Sequence, residues 1–171
     1  MTNQATQTGP GSVTEYAAGS NGNVTPLATI TGSSTGLLTP VGIAIDSSGN
    51  IYVTNDDYGG GDPDGTVEVF PPGSSGNVGP MAVILGSCSG LDGPQGVAVD
   101  PSGNIYVANS GQVTLNPDVA IYPAPSGWFI ENCVTPTNTI TADLVEPAGL
   151  TLDSSSNIYV PTQTRIAYYF F

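Results

Sequence analysis

The side chains best suited to chemistry lie in one glycine-rich stretch, NDDYGGGDPDG at positions 55–65. Four acidic residues fall within it, and no basic residue is near them in the sequence. Carboxylates on a flexible loop are the oxygen ligands that Ca²⁺ prefers, although the spacing does not match the helix–loop–helix calcium motif. The stretch therefore predicts either a structural calcium site or a solvated loop, with the candidate ligands Asp56, Asp57, Asp62 and Asp64.

Most other chemistry is disfavoured by the residue types present. The chain has no histidine and one basic residue, Arg165, against 14 acidic residues, which gives a net charge of −13. Without histidine it lacks the usual general base and the usual zinc ligand, so we expect no catalytic residue and no cofactor apart from Ca²⁺. A surface almost free of Lys and Arg neutralises no phosphates, and no apolar run could span a bilayer. We expect neither nucleic acid as a partner nor insertion into a membrane.

Two cysteines and two off-pattern aromatic residues are further candidates. Cys88 and Cys133 lack metal-binding spacing, and they are interpreted either as a disulfide or as two buried thiols. An even cysteine count on a lysine-free, polar chain favours an extracellular or cell-surface location, although the N-terminal residues do not show the pattern of a signal peptide. Trp128 and Phe129 lie outside any repeated pattern, so we interpret them either as ligand contacts or as a local cap on their loop.

A repeated unit must position all of these residues. GIAIDSSGNIYV at 42–53 recurs as GVAVDPSGNIYV at 96–107 and as GLTLDSSSNIYV at 149–160. Each unit is followed by further short β-branched segments, bounded by Gly, Pro, Asn or Ser, which are typical of strands. Four short antiparallel strands per repeat indicate a propeller blade. We predict an all-β fold with about three blades in one domain, residues 12–171, after a flexible segment, residues 1–11.

The repeated residues themselves have structural interpretations. Asp46, Asp100 and Asp153 are predicted to accept backbone hydrogen bonds in a tight turn, where Gly or Asn takes the left-handed conformation. The glycine that begins each unit suits a crowded centre where a side chain would clash. The tyrosines of the motif are predicted to pack between blades rather than to bind a sugar. They are Tyr52, Tyr106 and Tyr159.

The unit P-x-G-Φ-A-Φ-D-x-x-G-N-I-Y-V-x-[ND] resembles the NHL repeat of six-bladed β-propellers and recurs in register over nearly all of residues 13–171. The resemblance implies the fold, whereas members of such families serve as binding scaffolds, structural modules, or lyases and lactonases. The enzymatic alternative is a homodimeric lactonase- or lyase-like propeller with a metal in its central channel. Glycine and small apolar residues at the channel end of the first strands depart from that pattern.

Three repeats cannot close a propeller ring. Residues 12–16 and 27–30 match the third and fourth strands of a blade. The last repeat supplies a first and a second strand, and its third strand is residues 166–169. Exposed apolar edges recruit partners, so we expect the chain to bind itself by inter-chain strand complementation. The predicted assembly residues are Val13, Tyr16, Leu27, Ile30, Ile166, Tyr168, Tyr169, Phe170 and Phe171.

Three outcomes of these unfinished blades stay open. A twofold pair would close a ring, a head-to-tail contact that does not close would give a filament, and the chain could instead be a fragment of a longer propeller. The strand at 166–169 is one too many for a plain ring. The leading prediction is a non-catalytic extracellular module that self-assembles and acts as a structural or binding scaffold.

Overall fold

Every regular element in the described part of the chain is a β-strand. The computed structural model describes residues 1–3, 10–56, 64–114, 116–125, 130–132, 134–141 and 144–162. Within these residues no helix is long and apolar enough to cross a membrane. The strands are β1 (Thr2–Asn3), β2 (Ser12–Glu15), β3 (Ala28–Thr31), β4 (Pro40–Ile45), β5 (Ile51–Asn55), β6 (Thr66–Phe70), β7 (Ala82–Leu85), β8 (Pro94–Val99), β9 (Ile105–Asn109), β10 (Asp118–Tyr122), β11 (Ile130–Asn132), β12 (Asn138–Ile140), β13 (Thr151–Leu152) and β14 (Ile158–Tyr159).

The strands form four sheets that follow one another along the chain. The first blade is the antiparallel meander β4–β5–β6–β7, and the second is β8–β9–β10–β12. Before them lies a three-stranded N-terminal sheet, β1–β2–β3, and after them a two-stranded C-terminal hairpin, β13–β14. These open sheets confirm the predicted propeller blades of four antiparallel strands.

The first blade carries a fifth strand that the sequence did not predict. β11 comes from the connection between β10 and β12 of the second blade, and it pairs in parallel with β7, with Glu131 opposite Ile84. Cys88, just after β7, is disulfide-bonded. Cys133 follows β11 directly in the sequence and lies outside the described residues.

The hydrophobic core is divided into layers between successive sheets. The first layer lies between the N-terminal sheet and the first blade, the second between the two blades, and the third between the second blade and the C-terminal hairpin. Buried members include Val13, Ile30, Leu37, Val53 and Phe70 in the first layer, Tyr52, Val69, Val97, Ile105 and Tyr122 in the second, and Tyr106, Ala108 and Val119 in the third. Because the apolar faces lie between blades, each blade needs both neighbours to bury its residues.

Glycines let the first strands of neighbouring blades approach closely. A Cβ on Gly42 would collide with the carbonyl oxygen of Gln95 in the next blade. A Cβ on Gly96 would lie 2.5 Å from the Cα of Gly149. The predicted need for glycine at this position is confirmed for both blades, and its cause is the backbone of the following repeat.

The predicted aspartate turns are confirmed in all three repeats. In the first blade, Asp46 Oδ1 accepts the amides of Ser48 (2.8 Å) and Asn50 (2.9 Å), while Oδ2 accepts the Asn50 side-chain amide and the Tyr52 hydroxyl. Asp100 and Asp153 repeat the four bonds. The left-handed residue is glycine in the two blades and Ser156, with φ of 60°, in the hairpin. Asparagine, the other expected type, does not take that place.

A buried asparagine closes the inner end of each blade. Asn55 Oδ1 accepts the amides of Leu38 (2.9 Å) and Thr39 (2.8 Å), and its Nδ2 donates to the Gly36 carbonyl (3.2 Å). Asn109 makes related bonds in the second blade. These side chains tie the end of the second strand to the segment that leads into the first strand of the same blade.

We predict that Asn55→Ala lowers the free energy of unfolding by about 2–4 kcal/mol, because it removes three hydrogen bonds and leaves two partly buried amides without that acceptor. Urea denaturation measures the change. Val113→Ala, at an exposed residue, is the control and should change the value by less than about 0.5 kcal/mol. Equal effects of the two substitutions would contradict the structural role of Asn55.

We also predict that the fold loses stability in acid. Burial raises the pKa of Asp46, Asp92 and Asp100, but hydrogen bonds to their carboxylates outweigh it and hold each pKa below the ordinary value. A lowered folded pKa contributes stability that is present above the unfolded pKa, about 3.9, and is lost as the pH falls through the folded value. Asp118, whose pKa is raised by burial, acts in the opposite direction.

The melting temperature should therefore stay nearly constant between about pH 7 and pH 5 and fall below about pH 4. Asp100→Asn should melt lower than the wild type at neutral pH and lose less on acidification. If the melting temperature of the Asp100→Asn variant fell with pH as much as that of the wild type, Asp100 would not contribute to the loss of stability in acid.

Candidate functional site

An open cleft lies between the N-terminal sheet and the first blade. Its volume is about 940 Å³, and its walls include Val13, residues 14–17, Ile43, Ile45 and Ile51. Ile45 is 66% exposed there. In the second blade, Val97 and Val99 hold the positions of Ile43 and Ile45 and pack against the first blade, with Val97 only 5% exposed. At the interface between the first and second blades, the equivalent space is filled by the first two strands of the first blade. The cleft is thus the place where the first two strands of a blade before the first one would lie.

The N-terminal sheet is the remaining part of such a blade. β1 pairs with β2 so that Thr2 and Asn3 take the positions that Thr54 and Asn55 hold opposite β6. Thr2 Oγ1 donates to the Val41 carbonyl (2.9 Å), just as Thr54 Oγ1 donates to the carbonyl of Gln95 (2.8 Å). The sheet therefore holds the end of a second strand, a third strand and a fourth strand.

Thr2–Asn3, within the segment of residues 1–11 that we predict to be flexible, forms strand β1. The signal was present in the sequence, because Thr2-Asn3 repeats Thr54-Asn55 at nearly the repeat distance, but two residues are too few to stand out.

The C-terminal hairpin corresponds to the first part of a blade. β13 corresponds to the first strand of a blade, and β14 corresponds to the start of the second strand. β14 ends before Pro161, which aligns with Thr54 of the first blade. Tyr159 is 55% exposed, whereas its counterpart Tyr52 is 3% exposed. A Cβ on Gly149 would meet no described atom within 4 Å. The hairpin thus presents an interface surface like those of the two blades, but no described residue covers it.

The predicted assembly residues divide into three groups. Tyr16 lines the cleft and is partly exposed, and Leu27 is exposed nearby. Ile30 is buried inside the chain, and Val13 is buried at the floor of the cleft, because both face the first blade. Those at the C-terminal end lie outside the described residues: Ile166, Tyr168, Tyr169, Phe170 and Phe171. Trp128 and Phe129, the predicted ligand contacts, also lie outside them.

The acidic stretch is only partly described. Asp56 Oδ2 accepts hydrogen bonds from Gln95 Nε2 (3.2 Å) and Gln112 Nε2 (2.8 Å), so this carboxylate ties the first blade to the second. Asp64 is half-buried, whereas Asp57 and Asp62 lie outside the described residues. No cluster of potential metal ligands occurs among the residues that the structure describes. The calcium site stays a prediction.

A melting experiment tests the calcium prediction. A ligand that binds only the folded chain raises its stability with concentration, so millimolar Ca²⁺ should raise the melting temperature relative to EDTA. Asp62→Asn together with Asp64→Asn should remove the difference. Identical melting of the wild type in Ca²⁺ and in EDTA would show that the stretch is a solvated loop.

Comparisons with known proteins agree with the geometry of the blades. Residues 28–54 match the model of a β-propeller repeat, and residues 91–112 match that of the NHL repeat. No curated protein matches the sequence. The solved PQQ-bound form of aldose sugar dehydrogenase from Streptomyces coelicolor shares 13% identity at a TM-score of 0.39, over 66% of this chain and 34% of that chain. This chain therefore spans about a third of that structure. Together, the two repeat matches and the four-stranded sheets support an NHL-repeat-like β-propeller fold.

Proposed function

We propose that the chain is a non-catalytic extracellular module that assembles with copies of itself by completing its partial blades, and that it acts as a structural or binding scaffold. One observation carries the proposal. The cleft beside Ile43 and Ile45 lacks the strands that the C-terminal hairpin, β13–β14, presents with an uncovered interface surface.

The interface within the chain gives the expected contacts between copies. Tyr52 packs in the same layer as Val97, so Tyr159 of one copy would pack on Ile43 and Ile45 of the next. Ile51 and Tyr52 lie opposite Phe70 and Val69. The same register would place Ile158 and Tyr159 opposite Tyr16 and Glu15.

We call the blade formed by β13–β14 of one copy and the N-terminal sheet of another copy the composite blade. Its second strand is shared between the two copies. β14 supplies the positions of Ile51 and Tyr52, and Thr2–Asn3 of the other copy supplies those of Thr54 and Asn55. Pro161 has no backbone N–H and cannot continue the ladder, so the two half-strands lie end to end. Each copy then contributes two whole blades and two part-blades, and a twofold pair forms six blades, within the range of about four to eight for propellers.

The energetics favour a closed pair over an open chain of copies. Full burial of an exposed Ile or Tyr side chain yields about 1.5–3 kcal/mol, whereas association costs roughly 4–15 kcal/mol in lost freedom. One interface of a few apolar residues is therefore weak. In a twofold ring the second interface forms within the same complex, so its effective concentration is high and the two contacts reinforce each other.

The composition supports the remaining parts of the proposal. The disulfide at Cys88 suits an oxidising compartment. The absence of histidine from the sequence removes the commonest general base, and the described aspartates of the repeats accept structural hydrogen bonds.

Ile45→Ser tests the composite blade. We predict that the wild type elutes as a dimer or larger assembly and that the substitution weakens the dissociation constant by about a hundredfold, because the contact occurs twice in a ring. Light scattering after size-exclusion chromatography measures the mass. It should be done at physiological ionic strength, since the charge of −13 on each chain opposes association at low salt. Val113→Ser changes another exposed apolar residue as the control. A wild type that is monomeric at high micromolar concentration refutes the proposal.

A further inference from the structure

The connection between the third and fourth strands of the first blade binds the preceding sheet. We call this segment, residues 73–80, the latch. The Gly76 amide donates to the Thr29 carbonyl (2.7 Å), and the Thr31 amide donates to the Gly76 carbonyl (3.1 Å), which makes a parallel bridge opposite Ile30 on β3. Asn77 Oδ1 accepts the Ser34 amide (2.7 Å). Val78 packs against the first core layer.

The second blade repeats the arrangement with a longer segment. Its connection between β10 and β12 contains β11, which pairs in parallel with the outer edge of β7. Glu131 lies opposite Ile84, the residue of β7 that corresponds to Ile30 of β3. The connection in each blade thus contacts the outer strand of the sheet before it.

The N-terminal sheet carries a second latch. Its connection from β2 to β3 contains GSNGNVTP at 19–26, which differs from the latch GSSGNVGP at 73–80 in two residues. Gly19 and Gly22 have φ of 79° and 74°, against 75° for Gly73 and 76° for Gly76. Positive φ is a conformation that glycine adopts without strain, and both copies use it at the same two places.

This second latch has no strand beside it in the described part of the chain. Residues 17–25 are all exposed, and Val24 is 38% exposed, whereas its counterpart Val78 is partly buried in a core layer. Gly19 and Gly22 share the positive φ of their counterparts in the bound latch, but no described residue of the same copy supplies the strand edge that a latch binds.

A matching edge lies on the outer side of the second blade. β12 pairs with β10, and no other described strand pairs with it. Its Ile140 holds the position of Ile30 and Ile84. The Thr139 amide is bonded to the side chain of its neighbour Asn138 (2.9 Å) rather than to another strand.

We propose that the latch at 19–26 of one copy binds β12 of a second copy, with Gly22 opposite Ile140. The inference rests on the proposed self-assembly, in which the N-terminal sheet of one copy follows the second blade of the other. The Gly22 amide would donate to the Thr139 carbonyl, and the Thr141 amide would donate to the Gly22 carbonyl. Val24 would pack against Ile140 and Leu144, which correspond to Ile30 and Leu37 at the latch of the first blade.

Two substitutions on opposite sides of the contact test it. Val24→Ser removes the apolar anchor, and Thr141→Pro removes a donor at the end of an edge strand, where proline is tolerated. Both residues are exposed in a single copy, so the melting temperature of the dilute monomer should not change. Sedimentation should show the dissociation constant weakened about tenfold or more by each, with Val113→Ser as the unchanged control.

Cross-linking between differently labelled copies locates the contact directly. In the first blade, Ser75 Oγ lies 3.5 Å from the Thr29 carbonyl oxygen, and the equivalent residues are Asn21 and Thr139. A mixture of Asn21→Cys protein and Thr139→Cys protein should give a covalent heterodimer with a short bis-maleimide. Asn21→Cys mixed with Val113→Cys should not.

The outcomes separate the two proposals. If the wild type assembles and Ile45→Ser weakens assembly, but Val24→Ser and Thr141→Pro do not and no heterodimer is cross-linked, the latch contact is wrong and the composite blade stands. A monomeric wild type overturns both, because the second latch then has no edge from another copy to bind.

Discussion

The close approach of one blade to the next at the first strands is the constraint on which the rest of the structure depends. At Gly42 and Gly96 the neighbouring backbone occupies the space of a Cβ, so the inner edges of successive sheets are in direct contact. This contact sets the distance at which tyrosines and valines from facing sheets share one core layer. A blade in this chain is therefore one wall of a layer and is stable only between two neighbours.

Local hydrogen bonds nevertheless give each hairpin its shape independently of its neighbours. The turn around Asp153 makes the same bonds as the turns around Asp46 and Asp100, although no described blade follows the C-terminal hairpin. Its Tyr159 hydroxyl is bound to Asp153 (3.2 Å) just as Tyr52 is bound to Asp46 (3.1 Å). The aspartate thus holds the ring of the tyrosine in the position from which it packs on a following blade. The uncovered surface is preorganised, which reduces the ordering cost of binding.

The sequence predicted those parts of the fold that depend on local pattern. The strands, their order within a blade and the aspartate turns follow from periodicity and turn chemistry, which short segments carry. β11 and the latch at 73–80 escaped prediction because they are held by pairing with another blade, and a parallel one-residue bridge at Gly76 has no local signature. Ser156 escaped for the opposite reason, since the turn geometry forces a left-handed residue there although the sequence offers no glycine. The sequence predicted an unfinished blade but not the cleft, because the volume of the cleft depends on the relative placement of two sheets.

Inner and outer contacts together determine the angle between two blades. Within the chain, the interface between the first and second blades has both a close approach of inner strands, at Gly42, and an outer connection, β11, that holds the far edge. Two contacts at opposite edges of a sheet leave no freedom to rotate about either one. An interface between copies that used only the cleft would have the contact between inner strands but not the contact at the outer edge. The angle between its two blades could therefore differ from the angle between blades of one copy. A ring closes only if each blade is rotated relative to the one before it by the same angle. Any other angle between copies gives an open assembly. In the proposed assembly, the second latch would supply the contact that makes the interface between copies equivalent to those within a copy, and it would thereby favour the closed ring over the filament.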